Sequence, residues 1–543
     1  MPKKKDAPCL KTICLNSIAQ HMQAVWVKDY SENYIDEHNF LYIMGPFNEL
    51  AGALVQDLLR LLGESRRLTR AMLHLLLVPH LTELSLRTCP GLVSNAITQL
   101  ITVRCKNLSS LDLHGCNRVP SAALVDLLEC LPQLLRLVLS ETQSNTQVLS
   151  AIGSSCRVLR ELDISNCKKV SAESLLHLVY DPAQGTFCCS KLRVLVVTGN
   201  EPRSQVENFI GAIAFVLLAV PSLEYLDSSC VMEALCLIHA YHFEGIRRVE
   251  GFPSLEELVQ TRKSTGVNCC LSPVTLNLKR VNEVEEQLLG TFSSLCRDVV
   301  EVTIFLTDCP VTGWSSMSWS HLTHLTMHCT GPKGRPLTKL IPVLEVLGSQ
   351  LKHLSLSDFL YDEKFSFCAI LNLCPNLRAF QSLLNPLSGP LRIGSGDLEA
   401  EPQNWDLQLI HHAFPLLSHF SLIMNTCGPL PPQYATVLGA TLACLLKASP
   451  VLETLSLISL PVSMDHIFQI VLEQPASGAL LKLKKVSLCQ SHVSSSTIHL
   501  LLSTDNQLGT MNLEQCPDIY RKDYDEFLKT VKQRNLDLDI TWQ

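Results

Sequence analysis

The feature that most constrains this chain is a spaced set of leucines that keeps returning. At Leu81 the sequence reads LTELSLRTC, which places apolar side chains at Leu81, Leu84 and Leu86 ahead of Cys89. The spacing recurs at Leu108, Leu111, Leu113 and Cys116, at Leu134, Leu137 and Leu139, and at Leu159, Leu162, Ile164 and Cys167. These starts differ by 108−81 = 27, 134−108 = 26 and 159−134 = 25 residues. Further copies begin at Leu192, Leu223, Leu322, Leu351, Leu377, Leu417, Leu452, Leu483 and Leu508, and weaker ones are expected near Leu255, Leu276 and Val299. Cys105, Cys156, Cys296 and Cys374 each precede a copy by three residues.

An LxxLxL run is one short strand whose leucines point inward, because strand side chains alternate. Leu124, Leu127 and Leu128, lying between copies, have the spacing of a helix that packs against such strands. No unit of this kind buries its apolar face alone, so neighbours stack into a parallel-stranded α/β solenoid. The cysteines suit turns that want a small, weakly hydrogen-bonding side chain. The pattern resembles the cysteine-containing leucine-rich repeats of the ribonuclease-inhibitor-like class, which implies a horseshoe of parallel strands and outer helices over residues 80–543. The match loosens between Val231 and Ser320, and LDLDITW (Leu536 to Trp542) reads as a last strand.

Composition supports a large core. Hydrophobic residues are 47% of the 543 and charged residues 17%, which excludes disorder over most of the chain. A net charge of −7 gives no reason to expect nucleic acid. The most apolar run, Phe209 to Val220, stops at Pro221 and falls short of the roughly 20 residues that span a bilayer. The start, MPKKKDAPCL, carries no apolar targeting core, so the 23 cysteines are expected to be reduced thiols of a cytoplasmic chain, with nuclear occurrence also open.

Catalytic chemistry is not signalled. No two cysteines have CxxC spacing, and GxxxxGK[ST], GxSxG and HExxH are absent. Cys188-Cys189 and Cys269-Cys270 read as loop thiols. The basic stretch Gly331 to Lys339 and the acidic stretch Gly394 to Asp406 read as inter-repeat loops, and Asn107-Leu-Ser109 as an unused glycosylation acceptor. The chain is therefore expected to be no enzyme in its own right, with no cofactor, catalytic residue or metal site. The informative surface is the outward strand face. It displays Asp112, Glu161 and Asp163, then Tyr225 and Asp227, and later His324 and His353 on adjacent copies, about one strand spacing of 4.8 Å apart. A peptide-binding groove is the expected use of that face.

Residues 1–79 do not follow the repeat and are read as a separate helical segment. Leu10, Cys14 and Ile18 lie at i, i+4 and i+8, on one face of a short helix that Met22 extends. That face either caps the solenoid or docks a partner. Leu-x-x-x-Cys-x-x-x-Ile, within residues 9–22, resembles the box by which substrate receptors of Elongin-cullin ubiquitin ligases bind Elongin C. Cys9 stands where that family usually has Ser, Thr or Pro. The family's second element is a proline-led helix that touches the cullin. Pro46, followed by Phe47, Leu50, Leu54, Leu58 and Leu62 and stopped by Gly63, predicts such a helix over residues 46–62, although Pro46 to Leu50 is one residue longer than usual. The order of parts is similar to receptors of the zyg-eleven type and to antagonist-of-mitotic-exit-network proteins. The resemblance implies a substrate-recognition subunit that binds Elongin B/C and a cullin through Leu10, Cys14, Ile18, Pro46, Leu50 and Leu54, and a protein or peptide target through the repeats. Two alternatives stay open: an F-box-like segment for the Skp adaptor, for which LPxE and a closing Trp are missing, and an interaction scaffold with no ligase link.

Overall fold

The computed structural model describes residues 2–4, 7–29, 45–264, 274–307, 319–331, 334–361, 366–386, 414–425, 432–472 and 479–542. The pair Cys269-Cys270 and the acidic stretch 394–406 lie outside them, as do two residues of the basic stretch 331–339. The chain forms two compact units. The first holds Pro8–Val281 and Gly290–Val299; the second holds Met1–Ala7, Asn282–Leu289 and Val300–Gln543. The N-terminal helices thus share a unit with the first repeats, and the division falls near residue 281 rather than 79.

In the first unit, α1 (Leu10–His21) runs into a turn of wider helix at Met22–Val27. After them come α2 (Gly52–Glu64) and α3 (Arg70–Leu76). Thr69 starts α3 by accepting a hydrogen bond from the Met72 amide, filling one donor the helix end leaves open. The repeat strands follow: β1 (Glu83–Ser85), β2 (Ser110–Asp112), β3 (Arg136–Val138) and β4 (Glu161–Asp163). A two-stranded excursion, β5 (Tyr180–Asp181) and β6 (Thr186–Phe187), precedes β7 (Val194–Val196), β8 (Tyr225–Asp227) and β9 (Arg280–Glu285), which spans the division between units. From β1 to β9, leaving out the excursion, each strand pairs in parallel with the next. Every residue at the LxxLxL positions of the four best copies is buried.

The cysteines explain themselves in this packing. The Cys105 thiol reaches the Val78 carbonyl at 3.6 Å, and that of Cys156 reaches the carbonyls of Leu128 and Leu131 at 3.9 Å. Cys167 donates to Leu139 at 3.1 Å. Each thiol therefore answers a carbonyl of the preceding repeat's turn, where a serine would have to be desolvated and an alanine would leave a gap. Burial pushes the thiols of Cys105, Cys116 and Cys156 up to about 12.

Two sequence expectations shift in the irregular region. Leu255 opens a helix, Leu255–Ser264, rather than a strand. The register Tyr225 to Arg280 makes Leu278 and Val281 the buried pair of the next strand, two residues later than a copy starting at Leu276. The apolar run before Pro221 forms the helix Val206–Ala219 with ten buried residues. Among the described residues no helix is long and apolar enough to cross a membrane.

In the second unit the strands lengthen: β10 (Glu301–Leu306), β11 (His324–Cys329), the short β12 (Arg335–Pro336), and β13 (His353–Tyr361), which kinks at the left-handed Asp358. Then come β14 (Ala379–Pro386), β15 (His419–Met424), β16 (Thr454–Ile458), β17 (Lys485–Ser487), β18 (Thr510–Asn512) and β19 (Asp539–Thr541). The ladder is parallel throughout. β19 is the expected closing strand, and Lys4 of the same unit bridges antiparallel to Leu536 just ahead of it. Both units are leucine-rich-repeat solenoids of α/β class, with parallel strands on one face of the core and helices on the other.

Candidate functional site

The Elongin-box-like face sits on α1. The helix is anchored toward its C-terminal half: Ala19 and Met22 are buried, and the Arg67 guanidinium donates to the Ala19 carbonyl at 2.9 Å. Lys11 pairs with Asp57 of α2 at 2.6 Å, fixing the rotation of α1. That rotation leaves Leu10 76% and Ile13 51% exposed, with Cys14 exposed beside them and Ile18 half-buried below. Leu10, Cys14 and Ile18 are thus brought onto one face, as their spacing predicts. Ile13 was missed by the i, i+4, i+8 reading; its signal is the i+3 step from Leu10. Cys9 caps the helix with extended backbone, and its thiol lies 3.1 Å from the Thr12 hydroxyl. That hydrogen bond holds the Cys9 pKa below its ordinary value.

The proline-led helix of residues 46–62 is corrected by the structure. Pro46–Glu49 is a single tight turn, Leu50 is extended, and α2 begins only at Gly52. The cause is His80, whose ring donates to the Leu50 carbonyl at 2.6 Å, taking the acceptor that a continuous helix would offer to Leu54. Leu54 and Val55 donate instead to Ala51. Gly63 does not stop the helix either. It lies within α2, where an added Cβ would collide with the Thr88 hydroxyl, so glycine is there for close approach. Pro46 is exposed, while Leu50 and Leu54 are half-buried. Phe47 is buried against Trp26, with ring centres 5.6 Å apart.

On the strand face of the first unit, Asp112, Asp163 and Asp227 fall in one register column and Glu161 and Tyr225 in the next. Their charges are largely used at home. Asp112 accepts from the Ser85 hydroxyl at 2.9 Å and the His114 amide at 3.0 Å, with Arg87 at 3.9 Å. Asp163 accepts from both the amide and the hydroxyl of Ser165. Glu161 pairs with Arg136 at 3.3 Å. The Arg280 guanidinium covers the Tyr225 ring at 4.4 Å.

The second unit has a different strand face. His324 and His353 stack with centroids 4.0 Å apart and planes 10° from parallel. Rings stacked this way hold their nitrogens side by side, not converging on a common point, and among the described residues no group of His, Cys, Asp and Glu is placed to hold a metal. His324 and His419 each bond a neighbouring hydroxyl, of Thr323 and Ser418, at 2.8 Å. Partial burial, then the neighbouring His324, His419, Arg378 and Lys352, hold the pKa of His353 below its ordinary value.

No family model matches the chain, and no curated protein matches it. Solved structures resemble it loosely. One is the Rad7 and Elc1 complex in yeast, at 16% identity and a TM-score of 0.36, covering 85% of this chain and 95% of that one. A second is the leucine-rich repeat-containing protein LegL7 from Legionella pneumophila, at 15% and 0.28, covering 56% of this chain and 82% of that one. The mouse RP105/MD-1 complex gives 14% and 0.31, covering 87% of this chain and 81% of that one. At these scores the likenesses assign no function.

Proposed function

We propose that this chain is a non-catalytic substrate receptor of an Elongin-cullin ubiquitin ligase, of the zyg-eleven-like kind, working in the cytoplasm. The observation that carries the reading is a helix anchored at one end with an open apolar face at the other. Leu10, Ile13 and Cys14 stand exposed on α1, while Ala19 and Met22 are buried where its other end packs on α2 and α3. A plain cap would bury the face that here is left in water, and an Elongin-box face needs it free. Elongin C would take Leu10, Cys14 and Ile18, with Elongin B following it. The exposed turn at Pro46 and the half-buried Leu50 and Leu54 behind it would face the cullin. The repeats would hold the target, and ubiquitin transfer would be promoted by proximity, the chemistry belonging to another subunit.

Binding of purified Elongin B/C to the full chain tests this. Replacing Leu10 by Ser and Cys14 by Phe removes one apolar anchor and overfills the pocket of the other. Burial of a leucine contributes about 1.5–3 kcal/mol, so the pair is expected to weaken binding by two powers of ten or more. Wild-type chain that captures no Elongin C, or a double variant that captures it fully, overturns the proposal.

A further inference from the structure

We infer that the strand face of the second unit, from β11 to β17, binds an extended, carboxylate-rich segment of a target protein. The inference rests on the receptor reading only in calling that segment a target. It reverses what the acidic residues of the first unit suggest, namely a basic partner, because Asp112, Glu161 and Asp163 are already engaged by their own repeats.

Three adjoining columns carry it. The first presents His324, His353 and His419, with Lys352 and Arg378 exposed at its border and Lys485 further along. Among the described residues, none of these three cations is in an ion pair. The acidic groups nearby are few among the described residues: Glu301 opposite His324, Asp358 at the kink of β13, and Glu453, which Lys484 holds at 2.9 Å. The second column runs Thr326, Ser355, Gln381, Ser421 and Ser456, one uncharged hydrogen-bonding side chain per strand. Among the described residues these five side chains have no hydrogen-bond partner, so they are available to a peptide backbone. The third column is apolar where it crosses Leu383, Ile423 and Ile458, all half-buried.

Geometry selects the occupant. The β11, β13, β14, β15, β16 and β17 strands are six neighbours, so the face spans five strand spacings, about 24 Å. That length suits roughly seven residues of extended chain. The cations and imidazoles are spread along it and do not converge on one point, which fits carboxylates set along a segment better than one dianionic phosphate.

Fluorescence anisotropy on the full chain without Elongin tests the assignment. The probes are labelled peptides of about nine residues with glutamates at alternate positions, the same peptide with glutamines, and the glutamine peptide carrying one phosphoserine. The glutamate peptide is expected to bind roughly tenfold or more tightly than the glutamine peptide, and less tightly as salt rises. Lys352→Glu with Arg378→Glu should weaken it by about tenfold, whereas Asp112→Lys with Glu161→Lys in the first unit should not. Equal binding of the glutamate and glutamine peptides overturns the inference, as does indifference to the Lys352 and Arg378 changes. Tighter binding of the phosphoserine peptide overturns the carboxylate assignment. A chain that binds the glutamate peptide but not Elongin C leaves this inference standing and removes only the ligase reading.

Discussion

Arg335 of β12 and Glu286 form a two-pronged ion pair at 3.1 and 3.0 Å, buried to 8% and 9% exposure within the second unit. The guanidinium also donates to the Thr307 carbonyl, so it ties together three segments that are distant in sequence. Breaking such a pair strands a charge in a poorly solvating place. Glu286→Ala is expected to cost about 3–5 kcal/mol in urea unfolding. Replacing both partners with apolar residues of similar volume should restore most of that loss. A single variant as stable as the wild type would mean that water reaches the pair.

How much of this was legible in the sequence depended on the range of the interaction. The repeat strands came through because each leucine position repeats locally and is buried for the same reason in every copy. Cys105 and Cys156 were readable as turn residues for that reason as well. The break before α2 was not readable, because it depends on His80 reaching back thirty residues to the Leu50 carbonyl. Gly63 looked like a helix stop, and only the proximity of Thr88 reveals why glycine is required. On the strand faces, residue type alone showed carboxylates in the first unit but not that Ser85, His114 and Ser165 had already claimed them.

The thiols should divide sharply by position. Cys9 is exposed with its pKa held down, and more of it is therefore thiolate at any pH near neutrality. Cys105, Cys116, Cys156 and Cys374 are pushed up to about 12 and are buried. Brief alkylation at neutral pH, read by peptide mass spectrometry, should label Cys9 first and leave those four unlabelled until the chain unfolds. Early labelling of Cys156 would contradict its packing against Leu128 and Leu131.

Ser382 lies fully buried on β14 between Leu356 and Leu422, and its hydroxyl has no hydrogen-bond partner among the described residues. A hydroxyl left unpaired in such a place costs about 1–3 kcal/mol. Ser382→Ala should therefore raise stability by roughly 1 kcal/mol, the small cavity subtracting part of the gain. Denaturant midpoints of the two chains decide it; a destabilised variant would mean that the hydroxyl is satisfied after all.

The last prediction separates docking from capping within one helical segment. Met22 is fully buried at the anchored end, whereas Leu10, twelve residues earlier, is 76% exposed. If the whole segment served only to cap the repeats, changes at either end would lower stability. The observed burial requires an asymmetry. Met22→Ala opens a cavity and should cost about 2–5 kcal/mol. Leu10→Ser removes almost no buried contact, so its unfolding midpoint should stay within about 0.5 kcal/mol of wild type. Elongin C binding should show the opposite order, lost with Leu10→Ser and retained by whatever fraction of Met22→Ala remains folded. Equal losses of stability at the two positions would place Leu10 in the cap and leave α1 without an open face.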